Sequence, residues 1–351
     1  MSAIKEIHFT ICPVANASYI AHKKGLVREA LRELGVETLQ LQDLAPEFWK
    51  THFDYKNPLL FREGGNAPPI YAKADGQDVI LLGITLVEHY QYIIVRADSD
   101  IDIVEQLAGR KVGIPSHPSA IIDFQRVSAQ QAFDLALAAR GVNLSKVEYT
   151  DVVAEGNFVG GFKSIKGDSA PQQENQRRRF APEVEALDEG KVDAIYTRGV
   201  HSVHLLSTGK YKVIFDLTAA PEVLSPINNE YPDVLTVHRN VAEKAPEVVV
   251  AYIKQLLRAA EWAKKNYAEA VKLLAEQTYS STPGEFIQAH RRGYTTRLAP
   301  ELSDASLRIL DGRKEALLRH GYLKKDFDVL KWADDSFLKQ ARKELQKELW
   351  K

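Results

Sequence analysis

The chain has 351 residues, more than one compact core of roughly 250 to 300 residues usually holds, so two lobes are expected. Its 46 basic and 47 acidic residues nearly cancel, which leaves no overall field to hold nucleic acid or an anionic membrane surface. No apolar run approaches the roughly 18 residues of a membrane-spanning helix, and a single cysteine excludes an internal disulfide.

The N-terminal residues enter a strand-like pattern without a basic region, an apolar stretch or a small-residue cleavage site, so a cytoplasmic location is expected. Residues 4–12 read as a strand. Apolar spacing at Ile20, Leu26, Val27, Ala30, Leu31 and Leu34 predicts one helix over 17–34, closed by Gly35, and 36–41 reads as a second strand. This β-α-β order favours parallel pairing with a right-handed crossover. Residues 51–69 hold three prolines and two adjacent glycines and read as a structured loop rather than a core element. Strands resume at 79–85 and 92–95. The α/β theme repeats over 127–215, with a helix over 129–139, strands near 147–152, 192–196 and 212–216, and a helix over 182–189. Within it, 163–179 is polar and carries three consecutive arginines, the pattern of a mobile surface loop. A return strand is expected at 234–238, followed by long amphipathic helical stretches over 245–279 and 303–349.

The chemistry-bearing candidates begin with Cys12, placed at the carboxyl end of the first strand, where open α/β sheets bind ligands. Backbone N–H groups of the helix that follows would favour a thiolate or an anionic substrate there. His52 is a candidate proton-transfer group and Arg62 a planar fork for an oxyanion. His201 and His204 lie three positions apart without cysteines or a carboxylate cluster to complete a zinc site, so no metal is expected.

Two sets of motifs carry resemblances. The opening strand-Pro-helix with Gly25-Leu, the block Leu107-Ala-Gly-Arg-Lys-Val-Gly-Ile-Pro115 and the later Leu187-Asp-Glu-Gly-Lys-Val-Asp-Ala-Ile-Tyr196 resemble type II periplasmic binding proteins. That resemblance implies a two-lobed α/β fold with a cleft between lobes and a helical C-terminal extension. Lobe I would comprise 1–112 and 217–351, and lobe II 113–216. More sharply, Phe9-Thr-Ile-Cys-Pro-Val-Ala-Asn-Ala17, His52-Phe-Asp-Tyr-Lys-Asn-Pro, Arg62-Glu-Gly-Gly-Asn-Ala-Pro-Pro69 and Leu82-Gly-Ile-Thr85 resemble the aromatic sulfinate desulfinases of dibenzothiophene desulfurisation.

The second resemblance implies a carbon–sulfur bond hydrolase that releases sulfite from an aromatic sulfinate. Its catalytic residues would fall on Cys12, His52 and Arg62, with Gly64 and Gly65 against the sulfinate. Thr10, Phe53, Tyr55, Asn57, Gln130, Tyr196, Arg198 and His201 complete the expected substrate contacts. No cofactor is implied, the partner would be a small anionic substrate, and the chain is expected to act as a monomer. Where the biphenyl enzymes carry aromatic side chains, this sequence offers Ser128-Ala-Gln-Gln131 and Tyr196-Thr-Arg-Gly-Val-His201. A smaller or more polar sulfinate is therefore expected, such as one with a second anionic or hydrogen-bonding group for Arg198 or His201, with hydroxybiphenyl sulfinate a poor substrate, unless Phe53, Phe124 and Tyr196 build an apolar pocket. The rival reading is a non-catalytic binding protein for a small sulfonate, carboxylate or pyrimidine. The pyrimidine synthases of thiamin biosynthesis share the fold, but they rely on a cysteine-rich motif, which a chain with one cysteine lacks.

Overall fold

The computed structural model describes residues 2–154, 164–167, 180–221, 223 and 228–349. The chain first lays down strands β1 (Glu6–Ile11), β2 (Glu37–Gln40), β3 (Leu60–Gly65) and β4 (Val79–Thr85). It then crosses to a second sheet of β5 (Gln91–Arg96), β6 (Lys111–Ser116), β7 (Glu148–Val153), β8 (Ala194–Arg198) and β9 (Tyr211–Asp216). It returns to the first sheet as β10 (Asp233–His238), giving the orders β2-β1-β3-β10-β4 and β7-β6-β8-β5-β9. In the first sheet β10 runs antiparallel between β3 and β4, and in the second β5 runs antiparallel between β8 and β9. The result is a two-lobed α/β fold.

Each sheet is covered on both faces, so its strands are apolar on both sides. In the first lobe, Ile7, Phe9, Ile11 and Phe61 pack with Ile20, Val27, Leu31, Val248, Ile253 and Leu256. On the other face, Leu60, Val79 and Leu81 meet Ile70 of helix Ala67–Ala74 and Leu307, Leu310 and Leu317 of helix Asp304–Arg319. In the second lobe Ile93 and Val95 face Ala129, Phe133 and Leu137 of helix Phe124–Ala139, while Ile94 points the other way, towards Ala186 and Leu187. That split is the two-residue alternation of a strand. The C-terminal helix Ser336–Leu349 lies on helix Pro246–Lys265 through Leu338 and Ala341, with Lys254 bridging Glu344 (3.2 Å) and Glu348 (2.6 Å).

Four expectations change or fall outside this description. The helix expected over 17–34 is two helices, Ala17–Lys23 and Leu26–Glu33, because Gly25 takes a left-handed conformation between them. The stretch 51–69 is not a loop: it holds a one-turn helix at Thr51–Asp54, the fully buried strand β3 and the start of helix Ala67–Ala74. Pro68 and Pro69 sit in the first turn of that helix, where a missing N–H costs nothing. The first crossing between sheets falls between Thr85 and Gln91 rather than at 112, since β5 pairs with β8 and β9. The mobile loop expected at 163–179 lies outside the described residues except for 164–167.

Candidate active site

The centre of the site is built by register. Thr10 of β1 pairs with Arg62 of β3, and Arg62 pairs with Thr236 of β10, so three side chains project from one face of adjacent strands. Cys12 follows the end of β1. Its N–H donates to the Glu63 carbonyl (2.9 Å) and its carbonyl accepts from Gln277 Nε2 (3.3 Å). These bonds fix the thiol although the residue lies outside regular structure. His52 arrives from the short helix Thr51–Asp54 and is 1% exposed.

The Cys12 Sγ lies 3.4 Å from His52 Nε2 and 3.4 Å from Arg62 Nη2. Arg62 Nη2 is also 3.4 Å from His52 Nε2, and Arg62 Nη1 donates to the Gly65 carbonyl (2.9 Å). A guanidinium can only donate, so Nε2 is the acceptor and the proton of the neutral ring sits on Nδ1. From there it is donated to Thr10 Oγ1, 2.9 Å away. Burial, assisted by the Arg62 charge, holds the His52 pKa well below the usual histidine value, consistent with that neutral ring. Burial opposes the charge on Arg62, but Cys12, Tyr55 and Asp233 outweigh it and keep the guanidinium protonated. Burial pushes Tyr55 up to about 12, so it is a phenol, with its hydroxyl 2.9 Å from Thr236 Oγ1.

The two glycines are required by close approach. A Cβ on Gly64 would overlap the Cys12 side chain, and one on Gly65 would overlap Asn229. The sulfur therefore packs directly against the β3 backbone. The helix after Cys12 does not act as expected. Helix Ala17–Lys23 is only seven residues long, and its first N–H groups are taken by Glu63 Oε2 (Ser18 N–H, 3.2 Å) and Asn16 Oδ1 (Tyr19 N–H, 3.2 Å). The positive neighbour of the sulfur is Arg62 instead.

Behind the site lies a buried pair of carboxyls. Burial pushes Glu63 up to about 7, against hydrogen bonds from Ser18 and Thr85, and burial with the Glu63 charge raises Asp233 as well. A carboxyl whose folded-state pKa is raised holds its proton where the unfolded chain has lost it. Its contribution to stability is full below about pH 4.5 and is lost as pH rises towards 7. Glu63→Gln should therefore flatten the fall in melting temperature between pH 5 and pH 8. A melting profile as steep as that of the parent protein would show that Glu63 is not the group responsible.

Cys12, His52, Phe53, Arg62 and Gly65 line a pocket of about 10 Å³ together with Pro13, Val14, Pro68, Phe124, Asn229 and Glu230. Pro13, Val14 and Glu230 also line a neighbouring cavity of about 160 Å³, walled by Arg198, His201, Phe180, His89 and His290 among others. Thr10, Tyr55 and Gly64 stand behind the first pocket through the contacts above. Asn57 does not line either space, because its Nδ2 donates to His8 Nδ1 (2.8 Å). Gln130 is turned to Tyr322, whose hydroxyl donates to it (2.8 Å), and Gln131 accepts from Arg313. Tyr196 lies behind the wall, donating to Gln91 Oε1 (2.6 Å) and accepting from Asn228 Nδ2 (3.0 Å). Sequence reasoning missed His89, Asn229, Glu230 and Gln277. The run Asn228-Asn229-Glu230 before β10 was the available signal, as polar residues on a chain crossing face the cleft.

Among the described residues, no group of three or more His, Cys, Asp or Glu side chains is placed to hold a metal ion. Among them, too, no helix is long and apolar enough to cross a membrane.

No family model matches the chain. The 2'-hydroxybiphenyl-2-sulfinate desulfinases of Rhodococcus erythropolis and Rhodococcus qingshengii are each 26% identical to it over 362 aligned positions, covering 97% of this chain and 94% of theirs. Among solved structures, a mutant of the desulfurisation enzyme DszB in complex with biphenyl-2-sulfinic acid superimposes with a TM-score of 0.74 at 24% identity, over 97% of this chain and 100% of that one. The periplasmic aliphatic sulphonate binding protein SsuA of Escherichia coli superimposes with a TM-score of 0.65 at 15% identity, over 95% of this chain and 92% of that one. The chain thus has the two-lobed fold of periplasmic binding proteins, and over nearly its whole length it is similar to the 2'-hydroxybiphenyl-2-sulfinate desulfinases.

Proposed function

We propose that this protein is a cysteine-dependent desulfinase that hydrolyses the carbon–sulfur bond of an aromatic or related sulfinate. The observation that carries the reading is the buried cluster in which Cys12 Sγ meets both His52 Nε2 and Arg62 Nη2 at 3.4 Å. The similarity to desulfinases across the chain supports it. The overall reaction is ArSO₂⁻ + H₂O → ArH + HSO₃⁻.

Arg62 would hold the sulfinate oxygens, and its charge beside the sulfur stabilises the thiolate as an attacking group. The thiolate attacks the sulfinate sulfur. The carbon–sulfur bond breaks with its electron pair on the ring carbon, which takes the proton that His52 Nε2 received from the thiol. This leaves ArH and an enzyme-bound Cys–S–SO₂⁻. Water then adds to that sulfur, returning one proton to the thiol and releasing HSO₃⁻. No oxidant or reductant is needed. The pocket at Cys12 has room for about one water, so it must widen to admit a sulfinate.

The test is to incubate the purified protein with a panel of aryl and alkyl sulfinates and assay sulfite. Sulfite release with an accumulating SO₂ adduct on Cys12 supports the reading. Tight binding of sulfinates or sulfonates with no sulfite released would return the chain to the class of solute-binding proteins.

A further inference from the structure

The cavity beside the Cys12 pocket contains a cation that the desulfination chemistry does not use. Arg198 ends β8, is 2% exposed and lines this cavity. Its Nη2 donates to Glu230 Oε1 at 2.7 Å, while Nε and Nη1 have no hydrogen-bond partner among the described residues. The guanidinium is held in place by ring faces, 4.9 Å from the Phe180 centroid and 5.8 Å from that of Tyr196. Leaving a buried donor unsatisfied costs about 1 to 3 kcal/mol, more for a charged group, so a guanidinium that lines a cavity with two buried donors unmet calls for a ligand.

The surroundings agree. The helix Gly199–Ser207 starts immediately after Arg198 with no side-chain cap, and its first residues Gly199, Val200 and His201 line the same cavity. A helix start favours negative charge. Burial pushes His89 down to about 3 and His290 down to about 4, so both rings are neutral near pH 7. The carboxylates on the wall are Glu230, already paired with Arg198, and Glu285, whose Oε2 accepts from the Ser281 N–H. Glu230, Pro13 and Val14 line both spaces, so the two adjoin, and the widening that admits a sulfinate at Arg62 opens towards the cavity of Arg198.

We propose that the substrate carries, beyond its sulfinate, a second anionic group of the carboxylate class, and that this group is bound by Arg198. The inference rests on the desulfinase reading and deepens it by naming the substrate class.

The experiment compares benzenesulfinate with its meta- and para-carboxylated forms, by sulfite release and by calorimetric binding. The proteins are the parent, Arg198→Met and Arg198→Met/Glu230→Gln, the double variant avoiding a stranded Glu230. The parent should prefer at least one carboxylated compound by about tenfold or more, a single charge-assisted bond being sufficient. Both variants should lose that preference. Equal kcat/KM and Kd for plain and carboxylated compounds in the parent would overturn the proposal, as would variants that keep the preference. Should no compound release sulfite, the desulfinase reading falls. The subsite is then judged by calorimetry alone: dianion binding weakened about tenfold by Arg198→Met supports it, and unchanged binding overturns it.

Discussion

Cys12→Ser should reduce sulfite release by at least about 10³-fold and leave the fold intact. A serine hydroxyl is far less acidic and less nucleophilic than a thiol near pH 7, and the neutral His52 ring is too weak a base to compensate. The contacts that hold this turn in place are made by the backbone, through the Glu63 carbonyl and Gln277, and serine keeps both. Melting temperature should therefore move little while turnover disappears. Alkylation of the single cysteine should have the same effect, and slowly, because the residue is only 6% exposed. A bound sulfinate should protect it. A serine variant that retains the parent rate removes Cys12 from the chemistry and leaves solute binding as the better account of the cleft.

Much of the fold was legible because strands and helices write their periods locally. The strand at 79–85 appears with the expected bounds, and those at 92–95 and 212–216 within a residue of them. The failures share a cause, which is that punctuation residues were read without their tertiary setting. Pro68-Pro69 marks the start of a helix, and Gly64-Gly65 ends a buried strand because Cys12 and Asn229 leave no room for a Cβ. Neither fact can be seen without the neighbouring segment. The candidate site was legible as residue types in motif order, but its electrostatics were not. The expected helix N-terminus is already satisfied by Asn16 and Glu63, and the charge beside the sulfur comes from Arg62, 50 positions away. Glu230 and His89 reach the cleft only through the two chain crossings, which carry no periodic signal. The resemblance places Gln130 among the substrate contacts, but its helix turns it to Tyr322.

Arg62→Lys separates clamping from proton transfer. Arg62 is 1% exposed and serves two directions at once, with Nη1 on the Gly65 carbonyl and Nη2 against the Cys12 sulfur. An ammonium is a point charge on a flexible stem and cannot keep both contacts while presenting a fork to two sulfinate oxygens. With each lost charge-assisted bond worth roughly 1.5 to 3 kcal/mol, losing two should lower kcat/KM by about 10² to 10⁴, with KM raised and kcat reduced together. His52→Gln should behave differently. It retains a polar side chain but cannot take and return the thiol proton, so kcat should fall by about 10² to 10⁴ with KM nearly unchanged. Reading the two variants side by side on one aryl sulfinate, with melting temperatures as a control, tests both roles. If both keep the parent values of kcat and KM, the cluster of Cys12, His52 and Arg62 is a structural network and the chemistry lies elsewhere in the cleft.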